Sequence, residues 1–404
     1  MTTALDPTEA HPELFLPEPE PRPVRYTVIS VDDHLVEPPH MFEGRLPAAL
    51  QDRAPAVITD DHGHEVWEFE GQRHFQVGQN AVAGRRPETV KVEPFRFDQM
   101  RRGCYDIEAR IHDMDINGVW ASLNFPSMIT GFCGRVFSHA KDPELGLAVT
   151  RAWNDWFYDE WYSAHPDRII PMGITWLTDP EIGAAEIRRN AERGFRSVTL
   201  PERPHRIGLP SIFNDYWEPI LAACVDTDTV ISLHVGSSGM ADFPKDCPPL
   251  QLGATLFGQL SLTACAEWLW SAWAVRYPDL KVAMSEGGIG WVAMLIDRLD
   301  NIVDRSGYGL DGFEGMRPSD VLRRNFWFCT IDDPSTIVTR HTIGVENIMV
   351  EVDYPHGDST WPDTQLVIDD AWGHLPADEL RALCCENAAA LYRHPLPDAP
   401  QPGA

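Results

Sequence analysis

Positive charge is scarce in this 404-residue chain: 33 Lys and Arg face 61 Asp and Glu, for a formal net charge of -28 at pH 7. Nucleic acid and anionic lipid are gripped through basic patches that release counterions, so neither is expected as a partner. No stretch reaches the ~20 apolar residues of a membrane span. The opening MTTALDPTEAHPELF also lacks the basic segment and apolar run of a secretory signal, so a cytoplasmic protein is expected. The eight cysteines are scattered, with no C-x-x-C pair and only Cys384 and Cys385 adjacent, which excludes a zinc ribbon and a disulfide framework. The patterns G-x-G-x-x-G and G-x-x-x-x-G-K-[ST] are missing, which speaks against a dinucleotide or nucleotide site. No internal repeat suggests a solenoid.

What remains is an ordinary core-forming composition, 43% hydrophobic, with an unusual 14 tryptophans that need pocket walls or subunit interfaces to sit in. Residues 1–24, with PEPEPRPV, have no periodicity and read as a mobile arm or a strap on a neighbour, and the tail 394–404 reads as flexible. Between them, over 25–393, short β-branched runs alternate with helical stretches, the pattern of βαβ units around a parallel sheet. Strands are predicted at Tyr26 to Val31, Trp120 to Phe125, Ile169 to Ile174, Ser197 to Leu200, Val230 to Val235, Lys281 to Ser285, Phe326 to Thr330 and Ile348 to Val352. Helices are predicted from Asp106 to Gly118 and at Pro143 to Ser163, Pro180 to Arg193, Asn214 to Cys224, Leu260 to Arg276, Trp291 to Asp304 and Pro334 to Thr342, with closing helices after Asp353. Eight strands with interleaved helices match an α/β (β/α)8 TIM barrel in one domain better than an open Rossmann sheet. The region 50–104 is an insertion after the first strand, with a hairpin about Glu70 and Gly71 that would act as a lid.

In such barrels the chemistry sits at the C-terminal ends of the strands. Strand one ends in Asp32-Asp33-His34, strand five in His234, strand six in Glu286 and strand eight in Asp353. Asp32 and His34 are two apart and share one side of an extended chain. Together with His234 and Asp353 they offer the mixed nitrogen and oxygen set of a catalytic divalent metal, whereas any one of them alone reads more readily as a strand-end cap. Zn, Fe, Mn and Co all suit such a set.

The segments ISVDDHLVEPP, LHVGSSG, MSEGGIGW and VDYPHGDSTWP resemble the amidohydrolase-related group that includes aminocarboxymuconate-semialdehyde decarboxylase, over most of residues 26 to 390. The resemblance implies a barrel with a divalent metal at the strand ends that activates a water or substrate oxygen. His34, His234 and Asp353 match the group's ligand positions. Asp32 stands where the usual H-x-H pair has its first His, as a carboxylate does in some related decarboxylases. Glu286 departs further, since the decarboxylase branch has a catalytic His there.

Two enzyme readings follow. In the first, one ion, or two with Glu286 as a further ligand, activates water to cleave an amide, ester or thioester of a small apolar carboxylic acid. Asp353 or Glu286 takes the proton and His234 belongs to the same machinery. The alternative is nonoxidative decarboxylation, in which the metal holds the substrate and a neighbouring acid protonates carbon. A scaffold that has lost its chemistry is disfavoured, because nothing else would keep buried carboxylates together. Arg135, His139, Arg203, His205, His356 and Trp361 are candidates for meeting an acidic small-molecule substrate, each against the plainer reading of a loop or surface residue. Glu37, before Pro38-Pro39, suits either a partner to a metal ligand or a loop salt bridge. Phe125, Trp176, Phe257 and Trp361 are candidate pocket walls, and the helix carrying Trp153, Trp156, Phe157 and Trp161 is a candidate oligomer face in an expected homodimer.

Overall fold

The computed structural model describes residues 6–305, 310–331 and 333–398. The first barrel strand, β1 (Ile29–His34), is buried along its whole length. It leads into the insertion, where β2 (Ala56–Thr59), β3 (Glu65–Phe69) and β4 (Gln72–His74) form a small antiparallel sheet. The predicted hairpin turn is there: Glu70 and Gly71 both take positive φ, 49° and 75°, as a tight two-residue turn requires.

The helix Ile107–Asn117 starts where the Asp106 carboxylate caps the Ala109 N–H and stops at Gly118, whose φ of 70° suits a residue without a Cβ. It delivers the chain to β5 (Ala121–Phe125). Asp142 caps the next helix, Pro143–Trp156, which runs on through a wider turn over Phe157–Tyr162. The third strand is split into β6 (Ile169–Ile170) and β7 (Met172–Gly173), because Pro171 has no N–H for the ladder. The other strands are β8 (Ser197–Thr199), β9 (Val230–His234), β10 (Val282–Ser285), β11 (Phe326–Thr330) and β12 (Ile348–Val350).

Every pairing among these barrel strands is parallel, in the orders β1-β5-β6 and β7-β8-β9-β10-β11-β12. The seam between β12 and β1 is spanned just beyond β12: Asp353 N donates to Asp32 O at 2.8 Å and His34 N to Tyr354 O at 2.6 Å. The eight strand positions predicted from sequence are those observed, in an α/β barrel of the TIM type. Among the described residues no helix is long and apolar enough to cross a membrane.

Three expectations need correction. A helix Pro318–Asn325 precedes β11, where the sequence reading had none. The helix expected over Pro334 to Thr342 is a 3-10 turn, Ile337–Thr339, followed by one short helix, Arg340–Ile343. The candidate oligomer face is core: Trp153, Trp156, Phe157 and Trp161 are all buried and in ring contact, Trp153 stacked on Phe157 and meeting Trp156 edge-on, with Trp161 tilted against Trp156. Those rings fill the layer between helix and barrel instead of facing a partner. Residues 1–5 of the expected arm and 399–404 of the expected tail lie outside the described residues. The rest of the arm runs along the insertion, with Phe15 buried and Leu16 N bonded to Gly84 O at 2.8 Å.

Candidate metal centre

Four strand ends converge. His34 Nε2 lies 3.4 Å from Asp32 Oδ1, 3.3 Å from Asp353 Oδ1 and 3.0 Å from His234 Nε2. His234 Nε2 in turn lies 3.1 Å from Glu286 Oε2. Two ligand groups emerge, Asp32 with His34 and His234, and His34 with Asp353 and His356; they share His34 and form one centre. All of these side chains are buried except that of Glu286, which stays 10% exposed.

Two of the acids are held in strained backbone. Asp353 and Glu286 both have φ of 58°, a left-handed conformation that costs a non-glycine residue about 1 kcal/mol and concentrates at functional sites. Each is pinned by its own amide, Asp353 N to Asp32 O and Glu286 N to Glu351 Oε2 at 3.0 Å. The strain therefore aims the two carboxylates inward instead of along the strand.

The electrostatics define what the centre fits. Both carboxylate oxygens of Asp32 and both of Asp353 are buried without a hydrogen-bond donor. Burial pushes Asp32 well up from the usual carboxylate range, with Glu351, Asp353 and Glu286 adding repulsion. Burial likewise raises Glu286, helped by Asp353 and Glu351, and raises Asp353, helped by Asp358. The imidazoles cannot supply the missing positive charge, since burial drives His234 and His356 down to about 3 and His34 well below its ordinary value. Unpaired buried charge on this scale is costly unless a cation neutralises it. His234 is already set for that role: its Nδ1 lies 2.7 Å from Val235 O, which leaves Nε2 as the free lone pair facing the acids. The donor set therefore fits a divalent metal held by Asp32, His34, His234 and Asp353, with Glu286 and His356 beside it.

Aromatic rings wall the centre. Phe125 packs 4.9 Å from His234 and 5.8 Å from His34, and Phe132 stacks on His234 at 5.2 Å. His356 stacks on His34 at 3.6 Å and places Nδ1 3.1 Å from Asp353 Oδ1. With Trp361 it also lines a cavity of about 330 Å3, shared with Leu16, Arg85 and Arg101.

The remaining candidates have other partners. Arg203 spends its guanidinium on Glu267, at 3.0 and 2.6 Å. His205 is on the same side of that pair, 3.7 Å from Glu267. His139 is exposed and bonded to the Arg135 carbonyl, while Arg135 keeps a buried Nε without a partner. Trp361 donates to Asp113 O and carries the Arg101 guanidinium over its ring, and Trp176 is core. Phe132, Glu202 and Glu351 escaped the sequence reading. Glu351 sits between the strand and Asp353 in an apolar run, Glu202 follows strand four directly, and Phe132 has no local signal because only the fold brings it to His234.

The sequence matches the profile of a protein family described as Amidohydrolase over residues 59–394, a span that begins after Asp32 and His34. Comparison with curated proteins gives no match. Solved structures share the fold. An amidohydrolase from Mycobacterium avium subsp. paratuberculosis superposes with a TM-score of 0.69 at 20% identity, covering 91% of this chain and 100% of that one. A 2,6-dihydroxybenzoate decarboxylase from Rhizobium gives 0.61 at 14% identity, covering 91% and 99%. A 5-carboxyvanillate decarboxylase from Novosphingobium aromaticivorans, with bound manganese, gives 0.63 at 18%, covering 93% and 100%.

Proposed function

The chain belongs to the amidohydrolase family, and from that membership we propose that it is a metal-dependent nonoxidative decarboxylase of a small aromatic acid. One observation carries the reading: the ligand groups that meet at His34 are buried and faced by the rings of Phe125 and Phe132. Decarboxylation turns a charged carboxylate into neutral carbon dioxide, so dry apolar walls favour it, whereas hydrolysis needs water brought against an acyl group. The likeness to solved decarboxylases of dihydroxybenzoate and carboxyvanillate supports this over the hydrolase expected from Glu286.

Asp32, His34, His234 and Asp353 would hold the metal, and manganese bound in a structural neighbour makes it the first ion to test. Once bound, the ion supplies a Lewis-acid seat for the substrate's oxygens. Phe125 and Phe132 stack against an aromatic substrate and exclude water. Val235 O fixes the tautomer of His234, and His356 stacks on His34. Glu286, whose carboxyl alone keeps some exposure, delivers a proton to the ring carbon that bears the departing group. The C–C bond then breaks, its electron pair restores the aromatic ring, and carbon dioxide leaves. Asp32 and Asp353, fully enclosed, are not placed to do this.

The test is an assay of manganese-loaded protein against a panel of hydroxybenzoic acids and, in parallel, aryl amides, esters and thioesters. Carbon dioxide with the matching phenol is the expected product. Acyl cleavage without carbon dioxide would overturn the reading in favour of hydrolysis.

A further inference from the structure

The most deeply buried carboxylate outside the metal centre has no cation beside it and no step in the reaction above. Glu37 is 0% exposed, three residues beyond His34. Its Oε1 accepts from Ser127 N at 3.1 Å and from Trp153 Nε1 at 3.0 Å, while Oε2 accepts the Ser127 hydroxyl. Burial raises its affinity for a proton. A carboxyl kept there needs a reason, since an apolar side chain of similar size would avoid the desolvation.

The reason lies in what Ser127 holds. It opens the loop after β5, and its carbonyl takes hydrogen bonds from Thr130 N, Thr130 Oγ1 and Phe132 N, at 3.2, 2.9 and 3.2 Å. Those bonds close the turn that brings Phe132 into a left-handed conformation, φ 64°. From there its ring stacks on His234 at 5.2 Å and 23°, and meets His34 edge-on at 5.6 Å. Trp153, on the helix Pro143–Trp156, anchors the other side of Glu37. Carboxyl, serine, strained turn and phenyl ring therefore form one mechanical chain from the segment after β1 to the imidazoles.

We propose that Glu37 is a positioning residue that seats Phe132 over His234 and so orients both imidazoles for the metal. The proposal rests on His34 and His234 being ligands. It makes a distinctive demand on substitutions. Glutamine reproduces all three bonds, with its carbonyl accepting from Ser127 N and Trp153 Nε1, its amide donating to the Ser127 hydroxyl and that hydroxyl reversing its role. A role in charge or proton transfer would not survive the same change.

The experiment titrates metal-stripped full-length protein with manganese alone and reads free ion by electron paramagnetic resonance. Glu37→Ala should weaken manganese binding by about tenfold, the low end of what losing a group behind a metal ligand costs. Glu37→Gln should restore binding to within about twofold of the native protein. Phe132→Ala should weaken it to a similar extent, and the double variant should be no worse than either single one, because both act through the same contact. Melting curves of the stripped proteins accompany each titration. If Glu37→Ala does not fold, Ser127→Ala, which removes only the hydroxyl bond, takes its place with a smaller loss in the same direction. Additive effects of Glu37 and Phe132, failure of the glutamine variant, or a lower melting point with unchanged manganese affinity would each overturn the proposal. His234→Ala is the control: if it leaves manganese binding intact, the ligand assignment itself has failed.

Discussion

Asp32 gives the sharpest separation between what holds this fold together and what the metal requires. Its two oxygens are buried without donors, and Glu351, Asp353 and Glu286 crowd it with like charge. Asparagine has the same shape without the charge. Removing the charge removes the cost of burying it among other acids, the change that replacing buried charge with neutral groups makes. Allowing for a buried amide left short of partners, Asp32→Asn should stabilise the metal-free protein by ~1–2 kcal/mol. The native protein, in contrast, should gain ~2.7 kcal/mol from manganese at a hundred times its dissociation constant. A chain of this length has an unfolding entropy on the order of 0.8 kcal/mol per degree. The metal-free variant should therefore melt ~1–2 °C above the metal-free native protein, and manganese should raise the native protein by ~3 °C and the variant not at all. Scanning calorimetry of chelator-treated samples, with and without manganese, reads both effects. A variant that keeps the metal-induced rise, or that melts lower than native without metal, would refute the reasoning.

Two further outcomes are expected. Glu286→Gln should leave one manganese per chain by elemental analysis while lowering the turnover number by at least about a hundredfold, the usual contribution of a general acid; a drop from two ions to one would make Glu286 a ligand and restore the hydrolase. Glu202, enclosed after β8 and accepting from Gly236 N at 2.9 Å, is pushed up by burial to about 7 from 4.5. The fold therefore holds a proton there that the unfolded chain has released, and stability falls as pH rises through the window between those values, by on the order of 3 kcal/mol at most. Glu202→Gln keeps the bond to Gly236 and should flatten that slope, so denaturant midpoints of the two proteins should diverge from pH 5 to pH 8.

Where information is local, the sequence was enough. All eight strands were readable because each is a short run of mostly apolar residues, and the candidate site residues occupy the ends of four of them: Asp32 and His34, His234, Glu286, Asp353. The helix Pro318–Asn325 was hidden because it is about two turns long and only Val321 and Leu322 mark its apolar face, too short a stripe to announce it. Pro334 to Thr342 has the opposite fault, a helical start signal at its proline in a segment whose β-branched Thr336, Ile337, Val338 and Thr339 settle into a tighter turn. Arg203 could not be told from a substrate arginine without knowing that Glu267, 64 residues later, lies against it. The tryptophans on Pro143–Trp156 have the spacing of an interface stripe, and only the packed barrel beneath them shows that the stripe faces inward.

The same distinction explains why the acids could be found and their purpose could not. A buried carboxylate is destabilising wherever it stands, so four of them at Asp32, Asp33, Glu351 and Asp353 cannot be a solution to folding. They differ in their compensation. Asp33 takes bonds from Ser30 Oγ and Tyr354 N, and Glu351 takes the Glu286 amide. Asp32 and Asp353 have no hydrogen-bond donor, and both face the Nε2 of His34. Compensated acids build the frame, and the uncompensated ones are those proposed to hold the ion. Aspartate is written the same way in both cases, so the difference exists only once strands 29 to 34 and 348 to 353 are side by side.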